Sequence, residues 1–395
     1  MVDGFSAYDT ALARQANLGG IWIDDGCWVE GDLPRRNWIA PGYALRGAVT
    51  VITGPPSAMK SSLMLAWASA IALDAAHGEF RPAQTGAVVV YNVEDDQTEQ
   101  RRRLSAVLRQ FDACPADIQG KVIRTGPSGI GTLFVRQADT GFISATPAMH
   151  RLREILRERK AVMLIADPLA ELHTAEENDN TGLRAVIAEF RSLAIELDLS
   201  VVLIHHTRKG ALAPGDPDNA RGASAIIGAA RVVLTLCTMS EDDAKGFGLA
   251  TDRKTRSAYT RLDEAKQNYA AIGDAIWYER VLYRLDNKEH VPAAVPWAPP
   301  DLWKSIPAVE ANAILDMIDR GVDGGSRRYT NGSGRNVDDR AAWKVVVEHI
   351  QSLTPAQARQ VVATWLKKGV LGNQTYRDPI ERKDRLGLIV LRRPS

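Results

Sequence analysis

Cysteine is scarce in this chain: Cys27, Cys114 and Cys237 are the only three among 395 residues, and none forms a CxxC pair. That excludes a disulfide framework and zinc-finger spacing, and it fits a reducing compartment. Net charge is almost missing as well, at +1 from 49 basic and 48 acidic side chains, so no whole-molecule electrostatic grip on nucleic acid is expected. The longest apolar stretch, Leu63–Leu73, is too short to cross a bilayer. The opening MVDGFSAYDTALARQ lacks the basic, apolar and small-residue order of a signal peptide. Wholesale disorder is excluded by 45% hydrophobic and 25% charged residues. These absences predict a soluble cytoplasmic protein of two or three domains, without a membrane partner.

What charge there is lies unevenly. Residues 301–395 carry 16 Lys and Arg against 11 Asp and Glu, and from Gln351 onward the balance is 9 to 3. Four prolines between Pro292 and Pro300 predict an extended segment without pairing, and so a linker at 291–302. The expected organisation is an N-terminal segment 1–37, a core 38–290, that linker, and a C-terminal unit 303–395. In the core, apolar runs end at Thr53, Val93, Asp167, His206 and Leu236, with helical patterns between them. Continuous apolarity implies strands buried on both faces, hence an α/β fold around a mostly parallel sheet. Thr255–Leu285 reads as antiparallel strands at its edge. The C-terminal unit reads as three helices (Val309–Ile318, Asp339–Ile350, Pro355–Lys367) and a basic hairpin, the order of a winged helix.

The strongest chemical signal is GPPSAMKSS, covering Gly54, Pro55, Pro56, Ser57, Ala58, Met59, Lys60, Ser61 and Ser62. Three of the four fixed positions of GxxxxGK[ST] are present after a strand and before a helix. Backbone N–H groups there cradle phosphate, Lys60 adds charge at the β/γ-phosphates, and Ser61 ligates Mg²⁺. Met59 stands where the second glycine is usual. Asp167, ending a buried strand, is placed to hold the same Mg²⁺. Glu94 ends another strand and is the candidate base for an attacking water, with Asp95 and Asp96 as candidate helix caps. His205 and His206 close a third strand, and alternation sends only one of them to the site. Arg208, Lys209 and Arg221 belong to a long Gly/Pro-rich loop at the ligand-binding edge of the sheet.

Together these segments resemble RecA-like hexameric ATPases, and among them RepA-type replicative helicases of plasmids and related phage ATPases. The matching stretches, from WIAPGYALRGAVTVITGPPSAMKS to RLDEAKQNYA, cover most of Trp38–Ala270 in the family's order. The resemblance implies ATP and Mg²⁺ as cofactors, a ring (expected to be a hexamer) and single-stranded DNA in its channel. It implies Glu94 as the water activator and His206, with His205 as alternative, as the γ-phosphate sensor. Arg231 would be the arginine supplied in trans, the alternative being a solvated strand end, and Lys266 a second such element. Arg208 and Lys209 would open the DNA-facing loop. The C-terminal unit is similar, more loosely, to winged-helix tails, with Lys367, Lys368, Arg382, Lys383 and Arg385 as DNA contacts. An ATP-dependent helicase or translocase is the expectation. An ATP-switched DNA-binding regulator or recombination mediator and an ATPase scaffold are the alternatives.

Overall fold

The structure, a computed structural model, describes residues 26–126, 131–176, 179–207, 215, 224–269, 273–300, 306–332 and 340–393. The chain divides into two units, Met1–Asn37 and Trp38–Ser395. In the first, the described residues include one short 3₁₀ turn, Glu30–Asp32.

The second unit opens with a small ribbon, β1 (Trp38–Ala40) and β2 (Ala44–Leu45), and continues into β3 (Val49–Gly54) and α1 (Lys60–Leu73). Then come β4 (Ala87–Asn92), α2 (Gln97–Leu108), β5 (Val122–Thr125) and the short pair β6 (Phe134–Arg136) and β7 (Ile143–Ala145). They are followed by α3 (Pro147–Glu158), β8 (Ala161–Asp167), α4 (Asn180–Glu196), β9 (Ser200–His206), α5 (Ser224–Ala229) and β10 (Val232–Thr238). Two short helices, α6 (Glu241–Gly246) and α7 (Arg253–Arg256), precede β11 (Tyr259–Gln267), β12 (Ile276–Arg284) and β13 (His290–Trp297).

Nine of these strands form one sheet in the order β13-β12-β11-β10-β3-β9-β8-β4-β5. From β10 to β5 every neighbouring pair is parallel, and β11, β12 and β13 extend the edge antiparallel. This is the expected α/β core around a mostly parallel sheet. Its strands alternate between two apolar layers. Ile52, Ile165, Val202 and Leu234 face the layer that includes α1, and Val51, Leu164, Val201 and Val233 face the layer of α3 and α4. With both faces covered, the continuous apolar runs are what burial requires.

The proline-rich segment corrects one expectation. His290–Trp297 is not an unpaired linker but the edge strand, in register with β12 from Trp277↔Trp297 to Arg284↔His290. Pro292 and Pro296 share the parity of Ala294, whose N–H points off the edge and donates to Ser62 Oγ at 3.0 Å. At those positions the ladder requires no donor, so proline costs it nothing.

The C-terminal helices are α8 (Ala308–Arg320), α9 (Ala342–His349) and α10 (Pro355–Lys367), followed by the hairpin β14 (Leu371–Arg377) and β15 (Asp384–Val390). Ile314, Leu315, Val346, Val362, Trp365 and Leu388 form their own core. α10 starts with a capping box between Thr354 and Gln357 and with Pro355 in its first turn. Its Gln357 and Gln360 lie against Gly248 and Gly246 beside α6, so this unit packs on the sheet-bearing part. At the hairpin turn the buried Asp378 carboxylate accepts from the backbone N–H groups of Ile380 (2.9 Å) and Glu381 (3.0 Å) and pairs with Arg327 (3.1 Å) and Arg340 (3.3 Å). These donors, the Glu381 N–H foremost, hold its carboxyl well below the usual range.

Candidate active site

The site sits at the C-terminal edge of the parallel strands. Between β3 and α1 the loop turns on two left-handed residues, Ser57 (φ 66°) and Met59 (φ 61°). Met59 is the residue immediately before α1 and adopts the conformation glycine would take most easily. Its side chain is buried in the same apolar layer as Leu63 and Met64. Lys60 is also buried, and its Nζ donates to the carbonyls of Gly54 (2.9 Å) and Pro55 (2.7 Å). Burial pushes the ammonium down to about 8, against the opposing pull of Asp167 and Glu94. A site that desolvates a cation this far favours a bound anion.

The strand order puts β9 between β3 and β8, so Asp167 at the tip of β8 lies across the loop from Ser61. Ser61 Oγ donates to Asp167 Oδ2 at 2.6 Å, and Asn92 Nδ2 donates to the same oxygen at 3.3 Å. Asp167 Oδ1 is buried without a hydrogen-bond partner. Burial pushes the Asp167 carboxyl up to about 6, opposed by the Ser61 hydrogen bond. Glu94, Asp167 and His206 each offer a ligand atom within 4.8 Å of one another. The orphaned carboxylate oxygen beside a hydroxyl and a second carboxylate fits a hard cation such as Mg²⁺, held by Ser61 and Asp167.

The two histidines separate as alternation requires. In the parallel register Thr53 faces His205 and Gly54 faces His206. His206 lines the cavity and His205 does not. His206 Nε2 is buried without a partner, and burial, followed by Lys60, lowers its basicity. The acidic run divides its work. Asp96 Oδ1 caps α2 by accepting from Glu99 N at 2.7 Å, Asp95 pairs with Arg103 at 3.0 Å, and Glu94 lines the cavity.

That cavity, about 580 Å³, is lined by Pro56 to Ser62, Glu94, Glu99, Arg103, His206, Arg280, Pro292 and Ala293. The last two come from the proline-rich edge strand. Arg103 and Arg280 were not singled out in the sequence. Arg103, held by Glu99 at 3.0 Å, follows Glu94 within one amphipathic helix start, and the run Arg101–Arg103 was its only local signal. Arg280 donates to Ser57 O at 2.6 Å across 223 residues of sequence, for which no local pattern exists.

Arg231 and Lys266 stand elsewhere. Arg231 N donates to Val49 O at 3.1 Å, at the opposite end of β3 from Gly54. With β3 running Val49–Gly54, that places Arg231 roughly 16 Å from the phosphate loop at about 3.3 Å per residue. Lys266 Nζ donates to the carbonyls of Ile227 (3.0 Å), Gly228 (3.3 Å) and Ala230 (2.8 Å), closing the end of α5.

Arg208, Lys209 and Arg221 lie outside the described residues. Of the C-terminal cations, Lys367 pairs with Asp274, and Lys383 and Arg385 both pair with Glu381. Arg382, exposed, adopts φ 56° at the hairpin tip, and the Lys368 carbonyl accepts from Arg392. The basic tail is therefore more neutralised than its residue count implied. No helix among the described residues is long and apolar enough to cross a membrane.

Comparison with known proteins gives a family model described as an AAA domain, which matches residues 13–211, half of the chain. A solved structure of a DnaB-like replicative helicase, described with its interactions with primase, is similar at 13% identity and a TM-score of 0.45, covering 69% of each chain.

Proposed function

Because the chain belongs to the AAA-domain family, we propose that it is an ATP-hydrolysing helicase or translocase acting on DNA in the replication or recombination of a mobile element. The observation that carries this is the convergence of Lys60, Ser61, Glu94 and His206 on one cavity at the sheet edge, with Asp167 hydrogen-bonded to Ser61 and clustered with Glu94 and His206. Lys60 and the loop N–H groups bind the phosphates. Ser61 and Asp167 hold Mg²⁺, which when bound neutralises phosphate charge. Glu94 orients the attacking water and accepts its proton, and His206 donates to the terminal phosphate.

The placement of Arg231 supports a ring, expected to be a hexamer. Too far to serve its own loop, it is suited to a neighbour's, and Lys266 fixes the helix end beside it. Single-stranded DNA would run through the channel, contacted by Arg208, Lys209 and Arg221. The C-terminal helices and hairpin, read as a winged helix, would add Lys367, Lys368, Arg382, Lys383 and Arg385. Met59 in the glycine position keeps a second reading in view, an ATP-switched DNA-binding regulator or recombination mediator without unwinding.

The test is the ATPase rate with and without single-stranded DNA, with particle mass measured in the same buffer. DNA-stimulated turnover by a multi-subunit particle, together with strand displacement, is expected. DNA-stimulated turnover without displacement favours the regulator, and turnover indifferent to DNA overturns both.

A further inference from the structure

A second cavity adjoins the first. About 770 Å³ in volume, it is lined by Pro56, Ser57, Thr238, Arg253, Arg256, Ser257 and Arg280. Pro56, Ser57 and Arg280 line both cavities, so the outer turn of the phosphate loop and one guanidinium form the wall between them. Three arginines and three hydroxyl-bearing residues face the second space, and among the described residues no carboxylate lines it.

Its cations are only partly used. Arg256 donates to Thr251 O (2.9 Å) and Met239 O (3.3 Å) and approaches Glu241 at 3.5 Å. Arg280 is held by Ser57 O. Arg253 is exposed in α7, and its guanidinium makes no hydrogen bond or ion pair among the described residues. Three guanidinium groups gathered with hydroxyls, of which Arg256 alone approaches a carboxylate, repel one another and favour a multiply charged oxyanion, which guanidinium N–H groups bind by charge-assisted hydrogen bonds.

We propose, resting on the ATPase reading for the origin of the ligand, that the Arg253–Arg256–Arg280 cavity is an orthophosphate site that receives the phosphate released in the neighbouring cavity. In hydrolysis a water oxygen bonds to the terminal phosphorus as its bond to the β-phosphate oxygen breaks, and the water proton passes to Glu94. The products are ADP and orthophosphate. Arg280 lines both cavities, so a phosphate passing from the first to the second meets its guanidinium and leaves behind Glu94, whose charge repels it. Phosphate oxygens can come from this product or from a nucleic-acid backbone, and the two sources are separable.

The experiment is calorimetric titration of the full chain, saturated with Mg²⁺ and ADP, with inorganic phosphate. One phosphate per chain is expected. Arg253→Ala should weaken it roughly tenfold or more, as loss of one charge-assisted hydrogen bond does, and Arg253→Lys should restore part of it. Lys60→Ala, titrated without nucleotide, should keep the site. In turnover assays Arg253→Ala should resist inhibition by added phosphate with the KM for ATP unchanged. Unaltered phosphate binding in Arg253→Ala overturns the assignment, as does its disappearance in Lys60→Ala, which would place it in the phosphate loop. Binding of a short single-stranded oligonucleotide that Arg253→Ala abolishes, where inorganic phosphate does not titrate, would give the cavity to a backbone phosphate. Should the protein hydrolyse no ATP, the calorimetric arm still reads the second cavity, so the two failures are distinct.

Discussion

Replacing Met59 by glycine is expected to lower stability, although it restores the residue the phosphate-loop pattern asks for. Three effects compete. Met59 is held at φ 61°, ψ 17°, a conformation that costs a residue with a Cβ about 1–2 kcal/mol. Glycine removes that strain but raises the backbone entropy of the unfolded chain, which takes back roughly 0.5–1 kcal/mol. The third effect is packing. Met59 is 8% exposed, in contact with the layer under α1, and truncating a buried methionine costs about 2–5 kcal/mol. Packing wins, and because the residue lies at the rim of its layer the packing loss sits near the low end, leaving a net loss of about 1 kcal/mol once strain relief and entropy are set against it. Met59→Ala provides the discriminating control. It loses the same packing yet keeps the strain, so it should be less stable than Met59→Gly by about 1 kcal/mol. Urea denaturation measures both, with lowered midpoints and unchanged slopes. A glycine variant as stable as the parent would refute the packing argument. Alanine and glycine variants of equal stability would refute the left-handed strain.

Further outcomes are expected at the site and beyond it. Lys60→Ala should abolish hydrolysis, and Glu94→Gln should keep ATP binding while losing turnover, since an amide cannot take the proton from water. Unchanged turnover in Glu94→Gln would move the base to another residue. Arg231→Ala should preserve ATP binding and cut turnover by about 10³-fold if it acts in trans. Mixing it with Glu94→Gln protein should then recover activity from mixed interfaces, and mixed rings without recovery would end that assignment. Because the Asp378 carboxyl is held below its usual range, it stabilises the C-terminal unit above about pH 4, and that contribution falls away as pH drops toward its folded value. The stability advantage of the parent over Asp378→Asn should therefore shrink below about pH 4. Hydrogen exchange of α8 to α10 measures it, and a constant difference down to about pH 2.5 would exclude the mechanism.

Those parts of the fold that depend on local apolarity were legible from composition along the chain. β8 and β9 span the same residues as their apolar runs, Ala161–Asp167 and Ser200–His206, because burial on both faces leaves no polar interruption. The Pro355–Lys367 helix was equally plain, and the structure gives it those same bounds. β13 was hidden because prolines argue against pairing unless the register is known, and only the fold puts them on the outward-facing parity. In the site, Lys60, Ser61 and Asp167 were readable from strand tips and loop spacing, whereas Arg280 owes its place to an antiparallel edge built late in the chain. Lys266 makes contacts that its sequence position did not announce. It was read from resemblance as an element acting in trans, and within one chain its ammonium meets the carbonyl end of α5. In the basic tail, likewise, a count of cations does not show that Glu381 lies within reach of two of them.

The edge strand has a practical consequence for anyone dividing this protein. A proline-rich stretch between two sets of elements looks like the place to cut, and a fragment ending at residue 290 would seem to preserve every recognised phosphate-binding motif. Such a fragment would lose the outermost strand of its sheet, leaving β12 as a bare edge open to pairing with other chains. It would also strip Ser62 and His77 of their partners at Ala294, and remove Pro292 and Ala293 from the wall of the 580 Å³ cavity beside Lys60. Inactivity or aggregation in that fragment would say nothing about the C-terminal helices. The cut that separates the two parts without dismantling the first lies beyond Trp297, where the ladder with Trp277 ends.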